Sequence, residues 1–314
     1  MNIMSKTVFL FSGQGSQYVG MAKELYDKFD EAKEVFAIGS KVLGYDLAKI
    51  VFEGSEEELN KTSYTQPAIM ACSLCAFEAM KANGITFDAV AGHSLGEYAA
   101  MVSSGMVSIE DGFKLIKARA KAMQAAAEAN AGAMCAIIGP EATVVEEVCS
   151  QVDSYVVPVN YNSPIQTVIA GEVSAVDSAI TLFENLGIKV RCIKLNVASA
   201  FHSKLMQSAA DGFIEVAKTV TFNPPQVDFY SNVTGAKLED FSDIPSLLAR
   251  HIVSPVKFTS ELSEMDKAGI ENYVELGPNK VLTGLVKKTF KGSNAMNVEN
   301  IKTLEKALES LLVD

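Results

Sequence analysis

The stretch "DAVAGHSLGEYAA" (residues 88–100) places a serine in a sharp turn between two elements of different kinds. Residues 88–93 have the apolar character of a short buried strand, and the residues that follow Ser94 favour a helix. Gly92 and Gly96 complete the pattern G-x-S-x-G, which is typical of a nucleophile elbow when it lies between a strand and a helix. The alternative is a serine that caps the helix between two turn glycines. Because an apolar strand precedes it, the pattern favours a nucleophilic Ser94.

A nucleophilic serine needs a general base, since its hydroxyl is almost never ionised at neutral pH. The chain contains three histidines. His93 adjoins the serine on the turn, so its side chain should point elsewhere and pack. His251 belongs to the segment "LLARHIVSPVKF" and is predicted to lie near a helix C-terminus. A histidine at such a position commonly interacts with the helix dipole or lies on the surface. His202, in "NVASAFHSKLM", lies between a predicted strand and a predicted helix and is the preferred base.

The group that orients His202 is not evident from the sequence. Serine hydrolases usually use an aspartate for this purpose. The acidic residues between Ser94 and His202, such as Asp111, Asp153 and Asp177, fall in helical or helix-flanking segments. A backbone carbonyl can take the place of the aspartate.

Arg119 lies in "LIKARAKAMQ", a segment with the periodicity of an amphipathic helix. An exposed cation is the default expectation for an arginine there. A buried arginine near the serine would instead recognise a planar carboxylate through two parallel hydrogen bonds, which lysine cannot reproduce. The sequence pattern alone leaves both interpretations open.

The composition indicates a folded globular protein: 48% of the 314 residues are apolar and 21% are charged. A net charge of −11 and the lack of a long basic run argue against nucleic acid as a partner. The apolar run "TVFLF" is too short for a signal peptide, and nowhere do about 18 apolar residues run together, so we expect a cytoplasmic protein that does not enter a membrane. The five cysteines include a C-x-x-C, Cys72 and Cys75, whose apolar helical context favours buried thiols over a redox or metal site.

Strands alternate with helices along most of the chain, which predicts an α/β fold with a parallel sheet. Thr65 is predicted to cap a helix that runs toward Asn83, with Pro67 in its first turn. Between residues 132 and 196 the order changes to β-α-β-β-α-β, the ferredoxin-like unit. We therefore predict a large domain formed by residues 1–130 and 197–314, and an inserted subdomain formed by residues 131–196.

Eight motifs, taken together and in order, resemble those of the malonyl-CoA:acyl carrier protein transacylase family. The resemblance extends from about Thr7 to about Lys288, nearly the whole chain. The motifs are "GQGSQYVGM", "TQPAI", "GHSLGEYAA", "LIKARAKAMQ", "NYNSPIQTVIAG", "AFHSKLM", "SPVKF" and "VELGPNKVLTGL". Any one of them could occur by chance, but all of them in the order of the family are a specific signal.

The resemblance implies an α/β-hydrolase-like large domain with a ferredoxin-like insertion and a catalytic pair formed by Ser94 and His202. It implies an oxyanion hole formed by the backbone N–H groups of Gln14 and Leu95. It also implies that Arg119 binds the free carboxylate of the malonyl group. The remaining implied roles are histidine orientation by the backbone carbonyl of His251 and contacts to the acyl and pantetheine groups by Gln66, Asn160, Asn162 and Phe201.

Phe201 bears on the choice of acyl group in related acyltransferases, where a phenylalanine before the histidine accompanies malonyl selection. Its ring would crowd an α-methyl branch, a difference of about 1–3 kcal/mol. Two positions depart from the family pattern. Ser12 stands where proline is common, and His251 stands where many members carry glutamine. Neither change removes the backbone group to which the resemblance assigns a role.

The resemblance implies transfer of a malonyl group from malonyl-CoA to acyl carrier protein by a ping-pong mechanism, in fatty acid biosynthesis, without a metal or other cofactor. We expect a monomer. Three alternatives stay open: a serine esterase or thioesterase, a stand-alone acyltransferase of a polyketide pathway, and a carrier-binding module without catalysis. Acyl carrier proteins are generally acidic, so docking to a chain of net charge −11 would need a local basic patch. Candidate docking residues are Lys189, Arg191, Lys204, Lys287, Lys288 and Lys291.

Overall fold

A computed structural model describes residues 5–197 and 199–312 of the chain. Its strands form two separate sheets, one of six strands and one of four. The strands are β1 (Lys6–Phe11), β2 (Ala89–Gly92), β3 (Ala133–Ile138), β4 (Val156–Ser163), β5 (Gln166–Gly171), β6 (Arg191–Lys194), β7 (Asp228–Ser231), β8 (Ala236–Lys237), β9 (Ile270–Leu276) and β10 (Asn294–Val298).

Helices cover the sheets and form most of the remaining structure. A short 3-10 helix at Lys204–Met206 precedes the tenth α-helix. The α-helices are α1 (Lys23–Lys28), α2 (Asp30–Leu43), α3 (Leu47–Glu53), α4 (Glu56–Leu59), α5 (Thr62–Ala82), α6 (Gly96–Ser103), α7 (Ile109–Ala129), α8 (Ala142–Ser150), α9 (Val173–Asn185), α10 (Gln207–Ala217), α11 (Ile244–Val253), α12 (Phe258–Lys267), α13 (Val281–Thr289) and α14 (Ile301–Leu311).

The six-stranded sheet has the order β10-β9-β1-β2-β7-β8. Its first five strands are parallel, and only the edge strand β8 is antiparallel. β1 and β2 lie side by side at the centre, with Phe11 paired to Gly92 at their carboxyl ends. In an open α/β sheet, ligands bind beyond the carboxyl ends of the strands, so the serine turn after β2 occupies the expected position for a site.

The four-stranded sheet has the order β4-β5-β3-β6, and every neighbouring pair is antiparallel. Numbered along this segment, the order is 2-3-1-4, which is that of a ferredoxin-like unit with α8 and α9 as its helices. The predicted α/β class with a parallel sheet and a ferredoxin-like unit is therefore confirmed. All four strands fall within residues 131–196, and the division of the chain into domains at these boundaries stays a prediction.

The start of α5 differs from the sequence prediction. The helix begins at Thr62 with Lys61 as its N-cap, so Thr65 lies inside it. The Thr65 hydroxyl donates to the carbonyl oxygens of Leu59 and Lys61, at 2.5 and 3.0 Å, and so does not cap. A threonine that bonds back to the preceding turn is compatible with a helix interior. Pro67 is thus one turn deeper than predicted, beyond the first turn, where proline removes the main-chain hydrogen bond to the carbonyl of Ser63.

The thiols of the C-x-x-C lie on the buried helix α5, as the sequence predicts. Cys72 and Cys75 are no more than 1% exposed. Their sulfur atoms lie 3.6 Å from the carbonyl oxygens of Met21 and Ala32, respectively. Burial raises the pKa of both thiols above the ordinary cysteine value, which keeps them protonated and unreactive.

Gly96 makes the close approach between the serine turn and β1 possible. A Cβ atom at this position would overlap the carbonyl group of Phe11. We expect Gly96→Ala to lower the free energy of unfolding by about 1–3 kcal/mol or more, because backbone atoms must move apart. Gly212, on the exposed side of α10, has open space around it, so Gly212→Ala should instead stabilise by about 0.5–1 kcal/mol. Denaturant titration of both variants tests this, and equal effects would contradict it.

Candidate active site

Ser94 occupies a strained turn between β2 and α6. Its φ is 55°, in the left-handed region that residues other than glycine seldom adopt. Such a conformation costs of order 1–3 kcal/mol and persists only where the surroundings impose it. Here Gly92 and Gly96 let the two ends of the turn pass at backbone contact distance. The turn presents the Ser94 hydroxyl beyond the sheet, as a nucleophile elbow does.

The structure brings His202 to Ser94 across 108 residues of sequence. His202 Nε2 lies 2.7 Å from Ser94 Oγ, and its ring is buried. On the other side of the ring, Nδ1 lies 3.0 Å from the carbonyl oxygen of His251 and 3.2 Å from that of Ser254. Carbonyl oxygens only accept, so Nδ1 carries the hydrogen and Nε2 is free to accept the proton of Ser94. The carbonyl of Ser254, at the end of α11, was not anticipated from the sequence.

Burial keeps the imidazole of His202 uncharged. The pKa is lowered to about 3, chiefly by loss of solvent and next by the nearby positive charge of Arg119. The carbonyl oxygens of His251 and Ser254 oppose this shift only in part. An unprotonated His202 is what a general base requires.

The pH dependence of Ser94 acylation should reflect this lowered pKa. A histidine of ordinary pKa would lose half of its basic form near pH 6.5. Because the pKa of His202 is about 3, the neutral form persists as the pH falls, and acylation should be nearly constant between about pH 5 and about pH 7. Single-turnover acylation after a pH jump measures this. A rate that halves near pH 6.5 would show that His202 titrates as an ordinary histidine.

Arg119 is completely buried, so the surface interpretation of this residue is wrong. Its Nη2 donates to Ser94 Oγ at 3.0 Å, and its Nη1 donates to Gln66 Oε1 at 2.8 Å. Within residues 5–197 and 199–312 it forms no ion pair with a carboxylate, and its Nε has no acceptor. A buried cation without a counter-charge is costly, and an anionic ligand beside Ser94 would compensate it.

A cavity of about 370 Å³ opens at the Ser94–His202 pair. Three of the four predicted contact residues line it, Gln66, Asn160 and Phe201, and so does Gln14, which is predicted for the oxyanion hole. Asn162 does not line it, and its Oδ1 lies 2.7 Å from Nε2 of His93. This bond holds the ring of His93 beside the elbow, and His93 is half-buried and is itself one of the residues that line the cavity.

Of the two residues whose N–H groups are predicted for the oxyanion hole, Gln14 lines the same cavity as Ser94 and Leu95 directly follows Ser94. Gln14 follows β1 and Leu95 follows Ser94, so both lie beyond the carboxyl ends of adjacent parallel strands. Neither N–H donates to a group in the described parts of the chain. The N–H of Ser94 itself is occupied, because it donates to Asn232 Oδ1 at 2.7 Å. Gln14 and Leu95 thus have donors available for an oxyanion, and their role stays a prediction.

Several polar residues behind the elbow were not predicted from the sequence. Asn232 directly follows β7, and a polar residue at the carboxyl end of a short apolar segment is a signal that the sequence carries. Glu97 stands in the first turn of α6, where a carboxylate is a common response to the helix dipole. Glu261 lies within α12 and has no local signal. Burial raises the pKa of Glu97 to about 8, so it is protonated at neutral pH.

The described residues contain no cluster of three or more side chains suited to hold a metal ion. None of the helices described is both long enough and apolar enough to cross a membrane. The site brings together Ser94, His202 at hydrogen-bond distance from it, the buried Arg119, and backbone N–H groups that have no acceptor among the described residues.

Comparison with known proteins places this arrangement among acyl transferases. Residues 8–311 match the family described as acyl transferase domain. The "Malonyl CoA-acyl carrier protein transacylase" of Bacillus subtilis (strain 168) is 38% identical over 311 residues, covering 98% of each chain. The crystal structure of the malonyl CoA-acyl carrier protein transacylase from Clostridium perfringens superimposes with a TM-score of 0.94 at 38% identity, covering 98% of each chain. A malonyl-transacylase solved in complex with a type II PKS acyl-carrier protein has a TM-score of 0.93 at 38% identity, covering 98% of this chain and 100% of that one.

Proposed function

The chain belongs to the acyl transferase domain family, and on that basis we propose that it transfers a malonyl group from malonyl-CoA to the phosphopantetheine thiol of acyl carrier protein, in fatty acid biosynthesis. The observation that carries the choice of malonyl is the position of Arg119. This buried guanidinium lacks a counter-charge among the described residues and donates to Ser94 Oγ at 3.0 Å. An acyl group with a free carboxylate supplies the missing negative charge at the nucleophile.

In the first half-reaction, His202 Nε2 takes the proton of Ser94 as Oγ attacks the thioester carbonyl of malonyl-CoA. The backbone N–H groups of Gln14 and Leu95 stabilise the tetrahedral oxyanion. The carbon–sulfur bond then breaks, and the CoA thiolate takes the proton from His202. The products are free CoA and malonyl-Ser94.

In the second half-reaction, His202 removes the proton of the carrier thiol, and the sulfur attacks the ester carbonyl of malonyl-Ser94. The carbon–oxygen bond breaks, Ser94 recovers its proton from His202, and malonyl leaves on the carrier. The hydrogen bonds at His202 Nδ1 support both half-reactions, because the carbonyl oxygens of His251 and Ser254 keep the hydrogen of the neutral ring on Nδ1. No metal or other cofactor takes part in any step of this proposal.

The competing serine hydrolase would release malonate to water. Arg119 offers a physical reason for transfer, because pinning the malonyl carboxylate fixes the ester carbonyl relative to the incoming nucleophile. Incubation with malonyl-CoA, followed by intact-mass measurement, tests the proposal. We expect a malonyl adduct on Ser94 that persists until a carrier thiol is added. Rapid release of free malonate, with no adduct that a carrier thiol can discharge, would favour the hydrolase instead.

A polyketide pathway is the second candidate for the source of the carrier. A malonyl-transacylase bound to a type II PKS acyl-carrier protein is as similar in sequence to this chain as the Clostridium perfringens transacylase, which makes a polyketide carrier the second candidate. The chemistry at Ser94 would be the same in both pathways. Transfer rates to carriers of each kind, measured at equal concentration, distinguish them.

Carrier docking is proposed at exposed cations around the molecule. The six candidates are exposed, and none forms an ion pair with a described residue. Lys204 lies beside His202, with its Nζ 3.9 Å from the centre of the Tyr155 ring. If these cations attract an acidic carrier, rising ionic strength should slow transfer to carrier while leaving acylation by malonyl-CoA less affected. A salt-independent transfer rate would exclude this steering.

The cytoplasmic location expected from the sequence is part of the same proposal. All five cysteines are free, which suits a reducing compartment.

A further inference from the structure

A cluster of buried polar side chains lies behind the serine turn, on the side away from the substrate cavity. Its members are Glu97, Asn232, His251 and Glu261, each no more than 1% exposed. None of them lines the cavity. The proposed mechanism uses only the backbone carbonyl of His251 and none of the four side chains. Buried polar groups of this kind are costly unless they are bonded to one another or to the backbone.

The amide of Asn232 bridges the two ends of the turn that carries the nucleophile. Its Oδ1 accepts the N–H of Ser94 at 2.7 Å, and its Nδ2 donates to the carbonyl oxygen of Gly92 at 2.7 Å. These two backbone groups flank His93, at the point where the chain leaves β2. The amide therefore holds Ser94 in its left-handed conformation from outside the turn.

Asn232 is itself fixed from three directions. Its Nδ2 also donates to Glu261 Oε1 at 2.7 Å, and its backbone N–H donates to Glu97 Oε1. Nε2 of His251 lies 3.1 Å from Asn232 Oδ1, and Nε2 carries a hydrogen because Oδ1 can only accept. Oε2 of Glu97 lies 3.3 Å from His251 Nδ1, which matches a protonated Glu97 facing an unprotonated ring nitrogen.

His251 thereby contacts both halves of the catalytic pair. Its side chain bonds to the amide that holds Ser94, and its backbone carbonyl accepts the Nδ1–H of His202. A shift of α11 would move the acceptor of His202 and the support of Ser94 together. We infer that the side chains of Asn232 and His251 are positioning residues, which keep Ser94 Oγ and His202 Nε2 at reacting distance without touching the substrate.

The inference deepens the proposed function, on which it rests for its reaction, but the reactivity of Ser94 can also be measured without malonyl-CoA. Two assays are therefore run side by side. One measures single-turnover malonylation over a range of malonyl-CoA concentrations, and the other measures labelling of Ser94 by a fluorophosphonate. Thermal unfolding of each variant records stability separately.

Asn232→Ala removes both bonds to the turn, and His251→Leu removes the bond to Asn232 while leaving the carbonyl of residue 251 in place. Because misplacing a reacting group by about 1 Å can cost about 10²-fold, we expect a loss of up to that size in the maximal malonylation rate and in labelling. The half-saturating malonyl-CoA concentration should stay close to that of the parent. His251→Gln, whose amide nitrogen can again donate to Asn232, should recover part of the rate.

Asn272 provides the matched control, since it is another buried asparagine with side-chain bonds, to Thr7 and Asn294, far from the turn. Asn272→Ala should lower thermal stability without changing either rate. Folded Asn232→Ala or His251→Leu with parental rates in both assays would overturn the inference, as would His251→Gln no faster than His251→Leu. If Asn232→Ala does not fold, the comparison of His251→Leu with His251→Gln tests the inference instead. A parent that is labelled but takes no malonyl group would refute the proposed function, while the labelling rates would still test the positioning.

Discussion

Replacing His202 with alanine is expected to slow malonylation of Ser94 by about 10²–10⁴-fold, the usual contribution of a positioned general base. The geometry supports the upper part of this range. Nε2 lies 2.7 Å from Ser94 Oγ, and no other histidine ring nitrogen bonds to that hydroxyl in the described structure. His93 Nε2 bonds to Asn162 instead, and His251 Nε2 bonds to Asn232, so neither can replace the lost base.

Ser94→Ala should abolish the malonyl adduct altogether, because the atom that carries it is gone. Combining Ser94→Ala with His202→Ala should then cost no more than Ser94→Ala alone, since the two residues act as a unit. Ser104 is a matched control at the other end of α6, where its buried hydroxyl donates to the carbonyl oxygen of Met101. Ser104→Ala should keep the adduct. Undiminished carrier transfer by Ser94→Ala would exclude the covalent mechanism, and a cellular role that survives without transfer would favour a carrier-binding module.

Local sequence was sufficient to predict the fold class and to select Ser94 and His202, which the structure brings to hydrogen-bond distance. The G-x-S-x-G pattern predicts its own turn, because the close approach at Gly92 and Gly96 is a property of neighbouring residues. The position of His202 between a strand and a helix is also a local signal. The ferredoxin-like order of strands follows from element order alone, since few topologies connect β-α-β-β-α-β compactly.

The surroundings of these residues could not be predicted because they depend on contacts between distant segments. Helical periodicity placed Arg119 on α7 but could not decide whether its face meets solvent or the serine turn. Asn232 reaches the turn from the end of β7, 138 residues from Ser94, and Glu261 reaches Asn232 from α12, 29 residues further along the chain. The start of α5 was misplaced because threonine is a common N-cap residue. Here the Thr65 hydroxyl bonds instead to the carbonyl oxygens of Leu59 and Lys61, which lie outside the predicted helix.

Arg119→Ala is expected to lose much of the selectivity for malonyl over acetyl. Removing one partner of a buried charged hydrogen-bond pair costs about 2–5 kcal/mol, which is a loss of about 30-fold to several thousand-fold in malonyl transfer. Acetyl-CoA has no carboxylate to lose, and its methyl group no longer meets a buried uncompensated cation. The ratio of malonyl to acetyl acylation rates, measured by competition and intact mass, should therefore fall. Acetyl transfer or hydrolysis of the acyl-enzyme should rise relative to the parent.

The second bond of Arg119, to Ser94 Oγ, requires a separate measurement in the same variant. If the guanidinium acts mainly by clamping the carboxylate, fluorophosphonate labelling of Ser94 in Arg119→Ala should fall much less than malonylation does. Lys121, an exposed cation on the same helix, is the matched control, and Lys121→Ala should change neither ratio nor rate. Equal losses of labelling, malonyl transfer and acetyl transfer in Arg119→Ala would contradict the clamp. That outcome would assign Arg119 to the orientation of the serine hydroxyl, and malonyl selection would then have to come from the shape of the cavity around Phe201.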